Sequence, residues 1–190
     1  MPDADKDVLR AAMGARRRAV PPEAARAAAE QVAGRVIALP EWRGARRVAL
    51  YAALPDELPT LPLAAAARAD SLPILWPRLE EADLVFVVCA AAALVPGRFG
   101  VPSPPAVLAS TPLGPDDLVV VPGVAFDDHG RRLGRGGGSY DRALGALGRE
   151  ARSVGIGYDF QRVERVPTAP HDVAVRVVVT ESGVTRRSPR

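Results

Sequence analysis

The chain has 190 residues, of which 48% are hydrophobic and 25% are charged, and its formal net charge is +3. This composition is typical of a folded protein and excludes an intrinsically disordered one, because disordered chains combine low hydrophobicity with high net charge. Only 5% of the residues are aromatic and the arginines are scattered, whereas nucleic-acid binding favours a basic stripe with interleaved aromatic residues. We therefore expect small anionic ligands.

The single cysteine and the first residues of the chain indicate the compartment in which the protein is expected. Cys89 is the only cysteine, which excludes an internal disulfide and a multi-cysteine zinc site, and its apolar surroundings predict a buried thiol. Residues 1–10 are charged and lack the apolar core of a secretory signal. Every apolar run is too short to cross a bilayer. We expect a soluble, cytoplasmic protein.

Apolar periodicity, prolines and short β-branched runs predict the secondary structure. In chain order, the predicted elements are helices over residues 3–19 and 23–39, a strand over 47–53, a helix over 60–69, strands over 74–76, 84–88 and 117–121, a helix over 139–147, and strands over 154–157 and 173–179. Strands that alternate with helices indicate an α/β fold, with a mostly parallel central sheet flanked by helices. We expect one layered domain over residues 1–190, an extended loop over 98–114, and a frayed end over 183–190.

A glycine-rich segment joins the predicted strand 117–121 to the predicted helix 139–147. Gly134 and Gly136–Gly138 allow backbone N–H groups to approach a ligand closely. The start of a helix at Ser139 adds unpaired N–H groups and a partial positive charge. Arg132 and Arg135 are suited to bidentate contacts with phosphate oxygens. The spacing matches neither the Walker A loop nor the dinucleotide fingerprint, so we predict a phosphate-binding loop of another kind, with a flexible turn as the alternative.

Two residues at the start of this helix have more than one interpretation. A carboxylate at Asp141 can simply complement the helix dipole. Beside bound phosphate it would be repelled unless a cation lay between them, so Asp141 also suits a Mg²⁺ site. Tyr140 has helical spacing with Leu144 and Leu147, and we expect its ring to pack while its hydroxyl group reaches the site.

The stretch VPGVAFDDHGRRLGRGGGSYDRAL, residues 121–144, resembles the long signature of 5-formyltetrahydrofolate cyclo-ligases, also called 5,10-methenyltetrahydrofolate synthetases. Shorter matches lie elsewhere in the order typical of that family. These are Lys6-x-x-x-Arg10, Tyr51-x-x-x-x-Asp56-Glu57, Pro77-Arg78, Pro170-His171-Asp172-Val173 and Val179-Thr180-Glu181. The resemblance therefore touches most of the chain.

The resemblance implies an ATP- and Mg²⁺-dependent ligase of folate and one-carbon metabolism. ATP would phosphorylate the formyl oxygen of 5-formyltetrahydrofolate, N10 would close the ring to 5,10-methenyltetrahydrofolate, and ADP and phosphate would be released. Arg132 and Arg135 are then the catalytic residues, and Asp141 and Asp172 the metal ligands. The implied ATP-binding residues are Lys6, Arg10, Arg132, Gly134, Arg135, Gly136, Gly137, Gly138, Ser139 and Tyr140. The implied folate-binding residues are Arg10, Ala52, Glu57, Arg135, Gly137 and Ser139.

Three positions depart from the family's pattern. Ser139 replaces the first of two tyrosines, Gly137 stands where some members have lysine, and Ser103 stands where a Glu-Pro pair is common. Ser139 and Ser103 motivate an alternative, in which the chain binds ATP or a phosphorylated metabolite without cyclo-ligase activity. RNA binding through the scattered arginines is a second alternative, which predicts a steep salt dependence of affinity. The sequence favours no nucleic-acid or membrane partner and leaves the oligomeric state open.

Overall fold

The computed structural model describes residues 2–148 and 151–187, and its centre is a seven-stranded sheet. The helices are α1 (Pro2–Arg18), α2 (Pro22–Ile37), α3 (Pro40–Arg43), α4 (Leu61–Ala69) and α5 (Ser139–Leu147). The strands are β1 (Arg47–Ala49), β2 (Ile74–Glu80), β3 (Asp83–Val88), β4 (Val95–Pro96), β5 (Pro102–Ser103), β6 (Asp117–Pro122), β7 (Ala125–Phe126), β8 (Arg132–Leu133), β9 (Arg152–Ile156), β10 (Val177–Val179) and β11 (Val184–Arg186).

The main sheet has the order β11-β10-β9-β6-β1-β2-β3. Its inner pairs, from β10 to β2, are parallel, and the outer pairs β10–β11 and β2–β3 are antiparallel. This confirms the predicted α/β fold with a mostly parallel sheet. Strands as distant along the chain as β1 and β11 share this sheet, and the division of the chain into a single domain stays a prediction.

Helices cover both faces of the sheet, which explains why its central strands are apolar throughout. Along β6, Val120 packs with α2 and α4 on one face, while Val119 and Val121 pack with Leu144 of α5 on the other. A third cluster joins Met13 of α1 to the β7–β8 hairpin. Helix α1 therefore lies over the segment that follows β6. No helix of residues 2–148 and 151–187 combines the length and the apolar character needed to cross a membrane.

Several predicted boundaries were wrong because they are decided by backbone pairing with other segments and not by residue preferences alone. β2 continues to Glu80 instead of ending at residue 76, since it pairs with β3 through a two-residue turn in which Glu81 has a φ of 51°. β1 ends at Ala49 and β10 begins only at Val177. Before β10, the amide of Val175 donates to the carbonyl of Gly130 instead of to a strand. The loop after β6 contains the hairpin β7–β8, which the sequence analysis missed.

The end of the chain also differs from the prediction. Residues 183–190 were expected to fray, yet Val184–Arg186 form an edge strand on β10, and the Arg186 guanidinium holds the Glu41 carboxylate at 2.6 and 3.0 Å. Residues 188–190 lie outside the described part. Cys89 packs against the core but remains partly accessible, so the prediction of a fully buried thiol was wrong.

Candidate active site

A cavity of about 760 Å³ opens at the carboxyl ends of the parallel strands β1, β2 and β6. This edge of an open α/β sheet is the usual place for a ligand, because the connections that leave the strands diverge there. Every site residue predicted from the sequence lines this cavity. They are Lys6, Arg10, Ala52, Glu57, Arg132, Gly134, Arg135, Gly136, Gly137, Gly138, Ser139, Tyr140, Asp141 and Asp172.

The glycine-rich loop forms one wall of the cavity and leads directly into α5. Gly136 and Gly138 have φ values of 112° and 64°, in the left-handed region that side chains with a Cβ rarely adopt. Gly138 is also the residue before the helix, which begins at Ser139 as predicted. The Arg10 Nε donates to the Gly134 carbonyl at 3.0 Å, so α1 holds the loop from above. The loop thus presents backbone and a helix N-terminus to the cavity, an arrangement that suits phosphate.

Arg132 lies beneath this loop, almost fully buried. Its Nη2 donates to the Asp141 carboxylate at 2.8 Å, and the amide of Val173 donates to the other oxygen of that carboxylate at 3.0 Å. The guanidinium carbon is 5.8 Å from the centre of the Tyr140 ring. Its Nε is buried and has no hydrogen-bond partner among the described residues. An unpaired buried donor is unfavourable by about 1–3 kcal/mol. Because this atom is closed off from the cavity, Arg132 offers the cavity a positive charge and not this N–H group.

Arg135 extends from the loop to the turn between β1 and α4. Its Nη2 donates to the Asp56 carboxylate at 2.8 Å, and its Nε donates to the Glu57 carboxylate at 3.1 Å. The second Glu57 oxygen accepts the amide of Leu54 at 3.0 Å. The loop arginine and the predicted folate-binding acid are therefore in direct contact, although 78 residues separate them along the chain.

Lys6 and Asp172 form a second ion pair in the cavity wall. The Lys6 Nζ donates to Asp172 at 2.7 Å, and the amide of Ala169 donates to the same oxygen at 2.7 Å. Burial raises the pKa of the Asp172 carboxyl, but the hydrogen bonds from Lys6 and Ala169 and the Lys6 charge outweigh burial and leave it below the usual value. The pair ties α1 to the segment before β10 and places both charges at the ligand.

The tyrosine beside the helix start is packed, as predicted. Burial raises the pKa of the Tyr140 hydroxyl, and the negative charge of Glu57 raises it further. The hydroxyl therefore stays protonated at neutral pH and remains a hydrogen-bond donor. Tyr51 is similar, and its hydroxyl donates to the Leu58 carbonyl at 2.8 Å, which fixes the turn that carries Glu57.

The sequence analysis missed the apolar wall opposite the glycine loop. Leu79 and Leu84 come from the β2–β3 hairpin, and Val101 comes from the segment between β4 and β5, with Arg98 beside it. The sequence analysis left Leu79 outside a strand, because it expected this strand to end at residue 76. The apolar run that begins at Leu84 was the available signal, but it indicated a core strand and not a ligand surface.

Comparisons with known proteins agree with this geometry. A model of the 5-formyltetrahydrofolate cyclo-ligase family matches residues 2–181. The 5-formyltetrahydrofolate cyclo-ligase of Escherichia coli (strain K12) is 35% identical over 176 residues, which cover 89% of this chain and 96% of that protein. The protein of the same name from Haemophilus influenzae is 32% identical over 152 residues, which cover 77% and 81% of the two chains.

Solved structures show the same fold. The 5,10-methenyltetrahydrofolate synthetase of Aquifex aeolicus superposes with a TM-score of 0.83 at 33% identity, over 97% of this chain and 94% of the other. A 5,10-methenyltetrahydrofolate synthetase from Mycoplasma pneumoniae superposes with a TM-score of 0.74 at 21% identity, which bears on the fold alone. The similarity extends over nearly the whole chain.

Proposed function

The chain belongs to the 5-formyltetrahydrofolate cyclo-ligase family, and we propose that its cavity binds ATP and the folate side by side, with the glycine loop on the triphosphate. Its activity is that of a 5-formyltetrahydrofolate cyclo-ligase (EC 6.3.3.2), a ligase of folate and one-carbon metabolism that uses ATP. The substrate inferred from the family is 5-formyltetrahydrofolate. A cytoplasmic location and the absence of nucleic-acid partners remain predictions.

The observation that carries this placement is the glycine loop, which leads directly into the N-terminus of α5 at the cavity wall. The loop contributes backbone N–H groups, α5 contributes its N-terminus, and Arg132 contributes its positive charge. These groups line the same cavity wall, together with Arg10 and Lys6. A triphosphate would satisfy all of them, since phosphate oxygens accept several charge-assisted hydrogen bonds at once.

The chemistry follows from the weakness of a formamide as an electrophile. Transfer of the γ-phosphoryl group to the formyl oxygen of the substrate activates the formyl carbon and converts its oxygen into a leaving group. N10 then attacks that carbon and loses its proton to solvent, the bond from carbon to oxygen breaks so that inorganic phosphate leaves with the oxygen, and the five-membered ring is closed. The protein needs no covalent nucleophile for this sequence. Its contribution is positioning and neutralisation of negative charge by Arg132, Arg135 and the loop N–H groups.

The folate would lie between Glu57 and the apolar wall. A carboxylate can accept two parallel hydrogen bonds from the aminopyrimidinone edge of a pterin, and Glu57 presents one oxygen to the cavity beside Arg135. Leu79, Leu84 and Val101 offer a surface for the aromatic part of the molecule. This pose brings the formyl group towards the loop, where Gly137 and Ser139 lie.

The residues present also fit a magnesium ion bound together with the nucleotide. The described residues contain no group of three or more His, Cys, Asp or Glu side chains arranged for a metal. Mg²⁺ on a nucleotide needs only one or two carboxylates, because phosphate oxygens and waters complete its coordination. Asp141 and Asp172 both line the cavity and would hold the ion, which would neutralise phosphate charge. Each would then exchange a contact, Asp141 with Arg132 and Asp172 with Lys6.

A spectroscopic assay tests the proposal. The purified protein is mixed with 5-formyltetrahydrofolate and Mg-ATP, and the absorbance of the methenyl product is followed. We expect product formation that requires ATP, with Arg132→Lys much slower than the wild type because a lysine cannot reproduce both the Asp141 contact and the planar guanidinium beside the Tyr140 ring. Tight ATP binding without product would favour the alternative of a nucleotide-binding relative without cyclo-ligase activity. Unchanged rates in Arg132→Lys would contradict the proposal that the triphosphate binds beside Arg132 at the glycine loop.

A further inference from the structure

Asp56 lies just behind the cavity wall. It is absent from the described residues that line the cavity, but it contacts Arg135, which does line it. The turn that carries Asp56 is well fixed, because the Thr60 hydroxyl donates to the Tyr51 carbonyl at 2.7 Å and the amide of Glu57 donates to the Leu54 carbonyl at 2.9 Å. The position of the Asp56 carboxylate is therefore set by the fold.

The two oxygens of this carboxylate face different partners. One accepts from Arg17 of α1, with the Arg17 Nε at 3.1 Å and its Nη2 also in contact. The Arg17 side chain is only 3% exposed, and its Nη1 also approaches the Gly123 carbonyl at 3.4 Å. The other oxygen accepts from the Arg135 Nη2 at 2.8 Å. A buried arginine thus holds the carboxylate that in turn holds the loop arginine.

Arg135 needs a partner that fixes its side chain, because the flexible backbone around it does not restrict where the guanidinium lies. It lies between Gly134 and Gly136, and its side chain is 51% exposed. Fixing an arginine side chain costs about 2 kcal/mol in rotamer entropy. When a carboxylate already holds the side chain, part of this loss has occurred before the ligand binds and no longer opposes binding. The contacts to Asp56 and Glu57 use Nη2 and Nε, which leaves Nη1 for a phosphate oxygen.

Two carboxylates on one arginine would be redundant unless they had different tasks. Glu57 lines the cavity and is the proposed acceptor for the pterin, so the folate competes with Arg135 for its carboxylate. Asp56 has no such second ligand, since Arg17 occupies its other oxygen. Burial raises the pKa of the Asp56 carboxyl, but its hydrogen bonds and charge interactions with the two arginines lower it more, so the carboxylate is ionised at neutral pH.

We propose that Asp56, anchored by Arg17, is a positioning residue for the cyclisation, which keeps Arg135 aimed at the transferred phosphoryl group while Glu57 is occupied by the folate. This role rests on the proposed function. It explains how a loop made almost entirely of glycine can carry a catalytic arginine. Asp56 in the β1–α4 turn and Arg17 in α1 orient the Arg135 guanidinium, and the loop backbone only brings the side chain near the ligand. A purely structural role, in which the Arg17–Asp56 pair fastens α1, is the competing explanation.

A double-mutant cycle between Asp56 and Arg135 separates these explanations. Asp56→Asn keeps the shape and removes the charge, and Arg135→Lys keeps the charge and removes the fork geometry. We expect Asp56→Asn to lower kcat/KM for ATP by about tenfold in the wild-type background and by less than about twofold in the Arg135→Lys background. KM for 5-formyltetrahydrofolate should change little. Asp116→Asn, which removes a surface carboxylate that pairs with Arg152 at 3.2 Å, is the matched control and should behave as wild type.

A structural role would produce a different pattern. Asp56→Asn would then lower the melting temperature, and its effect on kcat/KM would be the same in both backgrounds; that additivity would overturn the proposal. If Asp56→Asn does not fold, the cycle is run with Asp56→Glu, which keeps a charge opposite Arg17 and displaces the oxygen that holds Arg135. Wild-type protein that forms no methenyl product would contradict the proposed function itself. A wild type that cyclises the folate while the cycle is additive would contradict only the role of Asp56.

Discussion

Replacing Gly155 by alanine would test how tightly the protein packs around Phe126, in the segment that leads from β6 to the glycine loop. Gly155 lies in β9, with β6 on one side and β10 on the other, where it is level with Val121 and Val178. An added Cβ would lie 3.0 Å from Cδ1 and 3.1 Å from Cζ of the Phe126 ring, and closer still to Cε1. Carbon atoms that are not bonded make favourable contacts at about 3.5–4.0 Å. The substitution therefore requires the ring or the strand to move.

Neither can move easily, and this determines the magnitude. Phe126 is fully buried, and its ring is enclosed on other sides by Gly123 and Gly157, where a Cβ would again come within 2.7 and 3.3 Å of it. Overpacking of this kind destabilises proteins by about 1–3 kcal/mol, and we expect about 3 kcal/mol here because both neighbouring strands fix the backbone. For a chain of this length that corresponds to a melting temperature lower by about 6–12 °C.

Thermal and urea unfolding followed by circular dichroism would measure the effect. Gly34→Ala is the matched control, because Gly34 is exposed in α2 with nothing within 4 Å of an added Cβ, and there the change should stabilise the protein by about 0.5–1 kcal/mol. In a Phe126→Leu background the cost of Gly155→Ala should shrink, since the smaller side chain leaves room. A Gly155→Ala protein with the wild-type midpoint would refute the packing argument.

Three further results are expected. Arg135→Ala should lower kcat by about 100-fold or more, since one charge-stabilising donor is typically worth that much, while Arg26→Ala on the exposed side of α2 should leave steady-state rates unchanged; equal rates in both variants would contradict the role of Arg135. The Arg186 hydrogen bond is the main reason that the pKa of Glu41 lies below its ordinary 4.5. A lowered folded-state pKa stabilises the fold above the unfolded-state value and stops doing so as the pH falls through the folded-state value. The protection factors of the Val184–Arg186 amides, which correct for the intrinsic pH dependence of hydrogen exchange, should therefore fall in the wild type as the pH drops through the folded-state pKa of Glu41. They should be lower at neutral pH in Glu41→Gln than in the wild type, and equal protection in both would count against that pair. Chelation of divalent cations should abolish cyclisation and Mg²⁺ should restore it, and activity that persisted in excess chelator would exclude the metal role of Asp141.

Local features of the chain were predictable from the sequence because neighbouring residues determine them. The helix Ser139–Leu147 was predicted with its observed bounds, since a glycine ends the loop on one side and another glycine ends the helix on the other. The parallel sheet followed from apolar strands that alternate with helices. The predicted site residues also proved to line one cavity, which is the expected consequence of connections that leave a parallel sheet at one edge.

The partners of those residues were decided only by the tertiary structure. Nothing local indicates that Arg135 meets Asp56, 79 residues earlier, or that Arg17 buries its guanidinium behind the same carboxylate. The edge strand Val184–Arg186 is another case, because a short polar segment pairs only once β10 offers a free edge. Sequence patterns report how a segment prefers to fold and which chemistry it carries. Contacts between segments depend on the order of the strands in the whole sheet. That order brings the carboxylates of the β1–α4 turn to the loop arginine, so its partners could not be predicted from the local sequence.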